Sequence, residues 1–133
     1  MWQFEVRAEG TSRVLGESRA VKWFENRRDF MATVLFMVKA TIPKKKEVAF
    51  NRWYNGKHCP QFLRYPGAVS ARRYRAILGE DKFRYMAVYE VQDEKTFRAL
   101  MKSGHMKALR RDYDRWFGKV SERSRSAYVQ IWP

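Results

Sequence analysis

The five residues Val34-Leu-Phe-Met-Val38 constrain this chain more than any others. They are apolar at every position, so a strand through them is hydrophobic on both faces. Val34, Phe36 and Val38 share one face, and Leu35 and Met37 share the other. Such a strand needs cover above and below. The run is also the longest apolar stretch, far short of the ~20 residues that span a bilayer as a helix. The expectation is therefore a buried strand of a globular domain, with no membrane.

The punctuation around it gives an order of elements. The first strand covers about 32–41. Pro43 ends it and stands just ahead of a helix over about 44–57, on which Val48, Ala49, Phe50, Trp53 and Tyr54 fall on one face. Gly56 weakens the end of that helix, and Pro60 starts a further helical turn through Leu63. Tyr65-Pro-Gly67 is a turn. A second strand, 68–78, carries Arg72, Arg73 and Arg75. The hairpin turn Gly79-Glu-Asp-Lys82 leads to a third strand, 83–91, which alternates Phe83, Tyr85, Ala87, Tyr89 against Arg84, Met86, Val88, Glu90. Asp93 is placed as the N-cap of a helix over 94–102, with Phe97, Leu100 and Met101 inward. Ser103-Gly104 interrupts it. A second helical piece over 105–118 puts Met106, Leu109, Tyr113, Trp116 and Phe117 on one face, with Gly118 as C-cap. A fourth strand covers about 123–132. The order βαββαβ makes an α+β protein: a four-stranded antiparallel sheet with both helices on one face. Two helices leave the other apolar face bare, and the simplest cover is a second copy in a closed two-fold homodimer.

Composition sharpens this. The chain has 133 residues and a net charge of +14. Residues 1–30 contribute +1 and residues 31–133 contribute +13. A basic surface serves solubility and also attracts anions, whether nucleic acid, lipid or an acidic ligand. Cys59 is the single cysteine, so an internal disulfide is excluded and a cytoplasmic setting is expected. One Cys and two His give no metal-ligand spacing. The first thirty residues read differently from the rest and lack a secretory apolar core. They are expected to be an N-terminal extension, poorly ordered or a mis-called start, with Met31 as the natural first residue.

Trp53-Tyr54, three residues, His58, one residue, Pro60, then Pro66-Gly67 and Ala71-Arg-Arg-Tyr74 form the most informative motif. Over residues 31–133 the chain resembles the dimeric α+β barrel superfamily and is most similar to the small EthD-like proteins. Tyr85, Tyr89, Trp116 and Tyr128-Val-Gln-Ile131 fit the same pattern. The resemblance implies a ferredoxin-like subunit, a homodimer and a pocket between sheet and helices. Relatives include monooxygenases, ring cyclases, isomerases, degradation auxiliaries and haem-handling enzymes. Cys59 and the heavy arginine load depart from the family.

His58 is the leading candidate for catalysis, with Tyr54 one turn back on the same face. At a helix C-terminus its cation is favoured, and a pKa near neutrality suits proton transfer with a phenol, enol or keto acid. The alternative is a histidine that caps carbonyls and packs on Pro60. Arg72 and Tyr74 share a strand face opposite Arg73 and Arg75, and one pair is placed to hold a ligand carboxylate. Tyr85 can donate to a ligand oxygen or sit in the core. His105 and Trp116 are further ligand-binding candidates, with a surface and a core role as their alternatives. There is no Gly-rich phosphate loop or nucleophile elbow, and nothing singles out haem, so no cofactor is expected.

The expected function is a small-molecule barrel. It would be a cofactor-free cyclase, isomerase or monooxygenase-type enzyme acting on an aromatic or polyketide-like anion. A non-catalytic ligand-binding or accessory dimer is the alternative. The βαββαβ order is also that of an RNA-recognition domain, with Phe83, Tyr85 and Tyr89 as stacking residues. Lys82-Phe-Arg-Tyr85 lacks the glycine pattern such a strand carries.

Overall fold

β1 (Val34–Thr41) runs through the interior of a four-stranded antiparallel sheet. β2 (Ala68–Arg75), β3 (Tyr85–Val91) and β4 (Glu122–Val129) complete it in the order β2-β3-β1-β4. The computed structural model of the protein describes residues 32–133; the readings made above for residues 1–30 and for Met31 lie outside the described residues. Pairing sets Phe36 opposite Tyr89 on one side and Ala127 on the other. Because side chains alternate, Val34, Phe36, Val38 and Ala40 point the same way as Tyr85, Ala87, Tyr89 and Val91. All of these are buried. The opposite face carries Leu35, Met37, Met86 and Val88, each half-buried, and the helices pack on the first face alone. The doubly apolar first strand and the ferredoxin-like α+β topology are as expected from sequence.

The first helical segment differs from expectation. Pro43 precedes a 3-10 turn (Lys44–Lys46) leading into α1 (Glu47–Trp53). The winding then widens to a π turn at Tyr54–His58 and continues as α2 (Cys59–Phe62). The helix does not end before Pro60. The Cys59 N–H donates to the Tyr54 carbonyl, five residues back. Pro60 has no N–H, and its ring would crowd the carbonyl four residues earlier in a regular helix. The wider turn immediately before it relieves that conflict.

α3 (Glu94–Lys102) begins as expected, with Asp93 Oδ1 accepting from the Thr96 N–H at 2.7 Å. Ser103 closes α3 and opens α4 (Gly104–Tyr113): its hydroxyl donates to the Leu100 carbonyl at 2.6 Å and accepts from the Met106 N–H at 3.0 Å. α4 passes into a second π turn, Asp114–Gly118. β2 stops at Arg75 rather than 78, because Ile77 and Leu78 find no partner strand and lie exposed ahead of Gly79, whose φ is 106°. β3 starts at Tyr85 rather than 83, and β4 stops at Val129. Residues 32–130 make one compact unit whose fully enclosed side chains are Tyr113, Phe50, Phe62, Leu100 and Val91. The core role considered for Trp116 is not observed: it is 55% exposed.

Candidate active site

Between the sheet and the helices lies a cavity of about 30 Å³, room for about one water. Phe36, Val38, Phe62, Met106 and Leu109 give it apolar walls, and Tyr54, His58 and Tyr89 bring polar atoms to it. Arg110, Arg123 and Arg125 complete the lining. The π turn carries Tyr54 at its first position and His58 at its last. Their rings meet edge to face, with centroids 5.0 Å apart. Trp53 stacks on His58 at 4.4 Å and 22° between planes, and meets the Tyr54 ring edge to face at 5.5 Å. The imidazole thus belongs to one compact cluster of three rings.

His58 Nδ1 is buried without a hydrogen-bond partner, and Tyr89 Oη is buried without a well-formed one, its hydroxyl interacting with the side chains of Tyr54 and Cys59. An orphaned buried group costs about 1–3 kcal/mol. Since both residues line the same cavity, one polar occupant could satisfy them together.

Burial pushes the His58 pKa down to about 4, Arg123 and Arg73 push the same way, and Asp112 opposes them. This corrects the expectation of a cation favoured by a helix C-terminus. The helix runs on past His58, so no terminal dipole reaches it, and the ring is 8% exposed. At neutral pH it is a neutral imidazole. Burial and the neighbouring Tyr113 hold the Tyr54 phenol well above the usual range. Tyr89 is raised by burial and then by Tyr54 and Cys59. Both phenols stay protonated and can donate or accept.

The guanidinium groups supply the charge. Arg123 donates to Asp114 at 3.1 Å and lies 3.8 Å over the Tyr113 ring. Arg110 has a buried Nε without a partner. Arg125 is pushed down by burial, then by Arg123 and Arg110. Among the described residues neither Arg110 nor Arg125 makes an ion pair. Crowded cations with one exposed carboxylate between them are relieved by an anion.

The other candidates lie elsewhere. Arg72 and Tyr74 are on the sheet face away from the helices, where Arg72 donates to the Ser70 hydroxyl at 3.0 Å. Their neighbour Arg73 is on the helix side, 4.3 Å over the Tyr54 ring. The Tyr85 hydroxyl donates to Glu47 at 2.9 Å and accepts from Asn51 at 3.4 Å. His105 donates from Nε2 to the Gln61 carbonyl at 2.9 Å, tying the start of α4 to α2. Trp116 stands exposed beside Arg115, 5.3 Å from the ring centroid. The RNA-stacking role considered for Tyr85 and Tyr89 is overturned, because both rings are buried on the helix side. Arg110, Arg123 and Arg125 escaped the sequence reading. The signal was there: Arg123 and Arg125 keep step with Ala127, and Arg110 lies one turn after Met106.

Among the described residues no three His, Cys, Asp or Glu side chains gather as a metal site, and no helix is long and apolar enough to cross a membrane.

No family model and no curated protein matches the chain. Solved structures do. An EthD family protein of Bacillus halodurans is 24% identical, covering 72% of this chain and 97% of its own, with a TM-score of 0.55. A proposed antibiotic biosynthesis monooxygenase of Nitrosomonas europaea is 19% identical, covering 76% and 92%, with a TM-score of 0.55. A dimeric protein of unknown function and ferredoxin-like fold from Bacteroides fragilis is 10% identical, covering 74% and 96%, with a TM-score of 0.53. The fold is the ferredoxin-like one these proteins share, as the motif around His58 implied.

Proposed function

We propose that this chain is a homodimeric small-molecule barrel enzyme that removes a proton from an aromatic or polyketide-like anion, with His58 as the base and Tyr54 beside it. One observation carries this reading: His58 Nδ1 is buried and unpartnered on the same cavity as the Tyr89 hydroxyl and three arginines. With a pKa near 4 the neutral imidazole is a weak base, so it takes a proton from a phenol, an enol or an acidic C–H only as the anion that forms is stabilised beside it. The negative charge left on the substrate oxygen falls among the cations of Arg110, Arg123 and Arg125 and the hydroxyl of Tyr89. Cyclisation, isomerisation and cofactor-free oxygenation share this first step. The cavity has room for about one water, so on this reading a substrate has to widen it. Likeness in fold to the proposed monooxygenase of N. europaea supports the reaction class. The half-buried face of Leu35, Met37, Met86 and Val88, and the dimer of B. fragilis, support the second copy.

The test is proton transfer itself. The probe 1,8-dihydroxyanthrone carries an acidic CH2 between two aromatic rings. In D2O without oxygen, the wild-type protein should speed exchange of that CH2, read by proton NMR. His58→Ala should lose about 100-fold or more of the acceleration. Equal exchange by the two proteins rules out the base. A probe that binds without exchanging points to the accessory-protein reading.

A further inference from the structure

We propose that the groove between α1 and β2 is a second ligand site, selective for small hydroxycarboxylates and anchored on Arg73. The proposal does not rest on the cavity or on His58.

The groove measures about 580 Å³, against about 30 Å³ for the cavity, and lies within the usual range for small-molecule sites. Its lining has two cations, Arg73 and Arg75, and no carboxylate. Neither arginine makes an ion pair among the described residues. Arg73 is half-buried, and a partly desolvated guanidinium without a counter-charge is costly unless something joins it.

The position of that fork is set by its neighbours. Its Cζ lies 4.3 Å from the ring centroid of Tyr54 and 5.5 Å from those of Phe50 and Tyr85. Nη1 donates to Asn55 Oδ1 at 3.0 Å. Among the described residues Nε has no partner, and only Nη1 of the two terminal nitrogens is bonded. The Nε–Nη2 edge therefore remains, and that edge matches the two oxygens of a planar carboxylate. Seating it on buried Nε takes a small outward shift of the guanidinium.

The rest of the lining chooses the body of the ligand. The Cys59 thiol is pushed up by burial and stays neutral, so it does not repel an anion. Asn51 Oδ1 is buried and unpartnered. Its assignment as oxygen follows from the network: the Tyr85 hydroxyl gives its proton to Glu47, so it must accept from the Asn51 amide nitrogen. An unpaired acceptor asks for a donor, which a phenolic hydroxyl provides. A carboxylate for Arg73 and a hydroxyl for Asn51 together describe a small hydroxycarboxylate, of which the hydroxybenzoates are rigid examples.

The test is an NMR titration of the labelled full chain with 4-hydroxybenzoate and with 3-hydroxybenzoate, each against its uncharged amide isostere. At least one acid should bind, shift the Arg73 side-chain Nε–H and the backbone signals of Asn55 and Arg75, and bind about tenfold or more tightly than its amide. Asn55→Asp, at an exposed position, puts a carboxylate on the same guanidinium without emptying the aromatic box. It should weaken the acid about tenfold or more while the protein stays folded. Arg73→Gln should abolish binding. Any one of three results overturns the site: neither acid binds at millimolar concentration, acid and amide bind alike, or the shifts centre on His58 and Tyr89 instead. Proton exchange of the anthrone probe is measured on the wild-type protein without either acid, so the two readings fail separately.

Discussion

In the folded chain the His58 imidazole takes up a proton only near pH 4, against about 6.5 in an unfolded one. Between those values the unfolded state binds more protons. The contribution of neutral, buried His58 is therefore complete above pH 6.5 and is lost as pH falls towards 4. It amounts to about 3 kcal/mol in all, with roughly 2 kcal/mol gone by pH 5. Urea unfolding of wild type at pH 7 and pH 5 should show that loss, and His58→Gln should lack most of it. Equal losses in the two proteins would place the titration elsewhere. The same shift sets the acid limb of proton transfer: kcat/KM should decline near pH 4, and a decline centred at 6–7 would mean a charged, solvated ring. The pairing of Tyr54 with His58 was legible in the sequence, because spacing alone puts them one turn apart. Their ionisation was not. It depends on the helix running on past Pro60, on Trp53 stacking over the ring, and on Arg123 arriving from a strand 65 residues later.

Elements were legible where a local device marks them and uncertain where distant partners decide. Asp93 capping and the Ser103-Gly104 break locate α3 to the residue. Nothing local announces the π turns, because they answer a conflict with Pro60 in one case and have no comparable marker in the other. β2 looked longer than it is, since Ile77 and Leu78 are strand-forming residues that no neighbour pairs. The Pro66-Gly67 turn is a place where local chemistry and packing agree. Gly67 has φ 96°, and a Cβ there would sit 2.5 Å from Thr96 Cγ2. Gly67→Ala should destabilise by about 1–3 kcal/mol, from backbone strain together with that collision. Adding Thr96→Ser removes the methyl and should restore part of the loss. Urea midpoints of the single and double variants measure both. If the double variant is no better than Gly67→Ala, the collision plays no part. Asp93→Ala should cost about 1 kcal/mol through the lost cap.

At the scale of the molecule, the proposed dimer uses the sheet face opposite the helices. Leu35, Met37, Met86 and Val88 meet there, with Met37 opposite Val88. Light scattering after size exclusion should return about twice the 16.0 kDa chain mass, little changed by salt because the contact is apolar. Val88→Lys should halve the mass and leave the fold intact. A monomeric wild type at tens of micromolar would end the proposal. The need for cover was visible in Val34-Leu-Phe-Met-Val38. The site's charge was not, because Arg110, Arg123 and Arg125 converge only once β4 lies beside β1. The margins of the sheet carry one further consequence. β2 brings Arg72, Arg73 and Arg75 to one border, and β4 brings Arg123 and Arg125 to the other. Unpaired borders invite strands from neighbouring molecules, and like charges turn them away. In the proposed dimer, copies would thus close face on face without running on side by side into a filament.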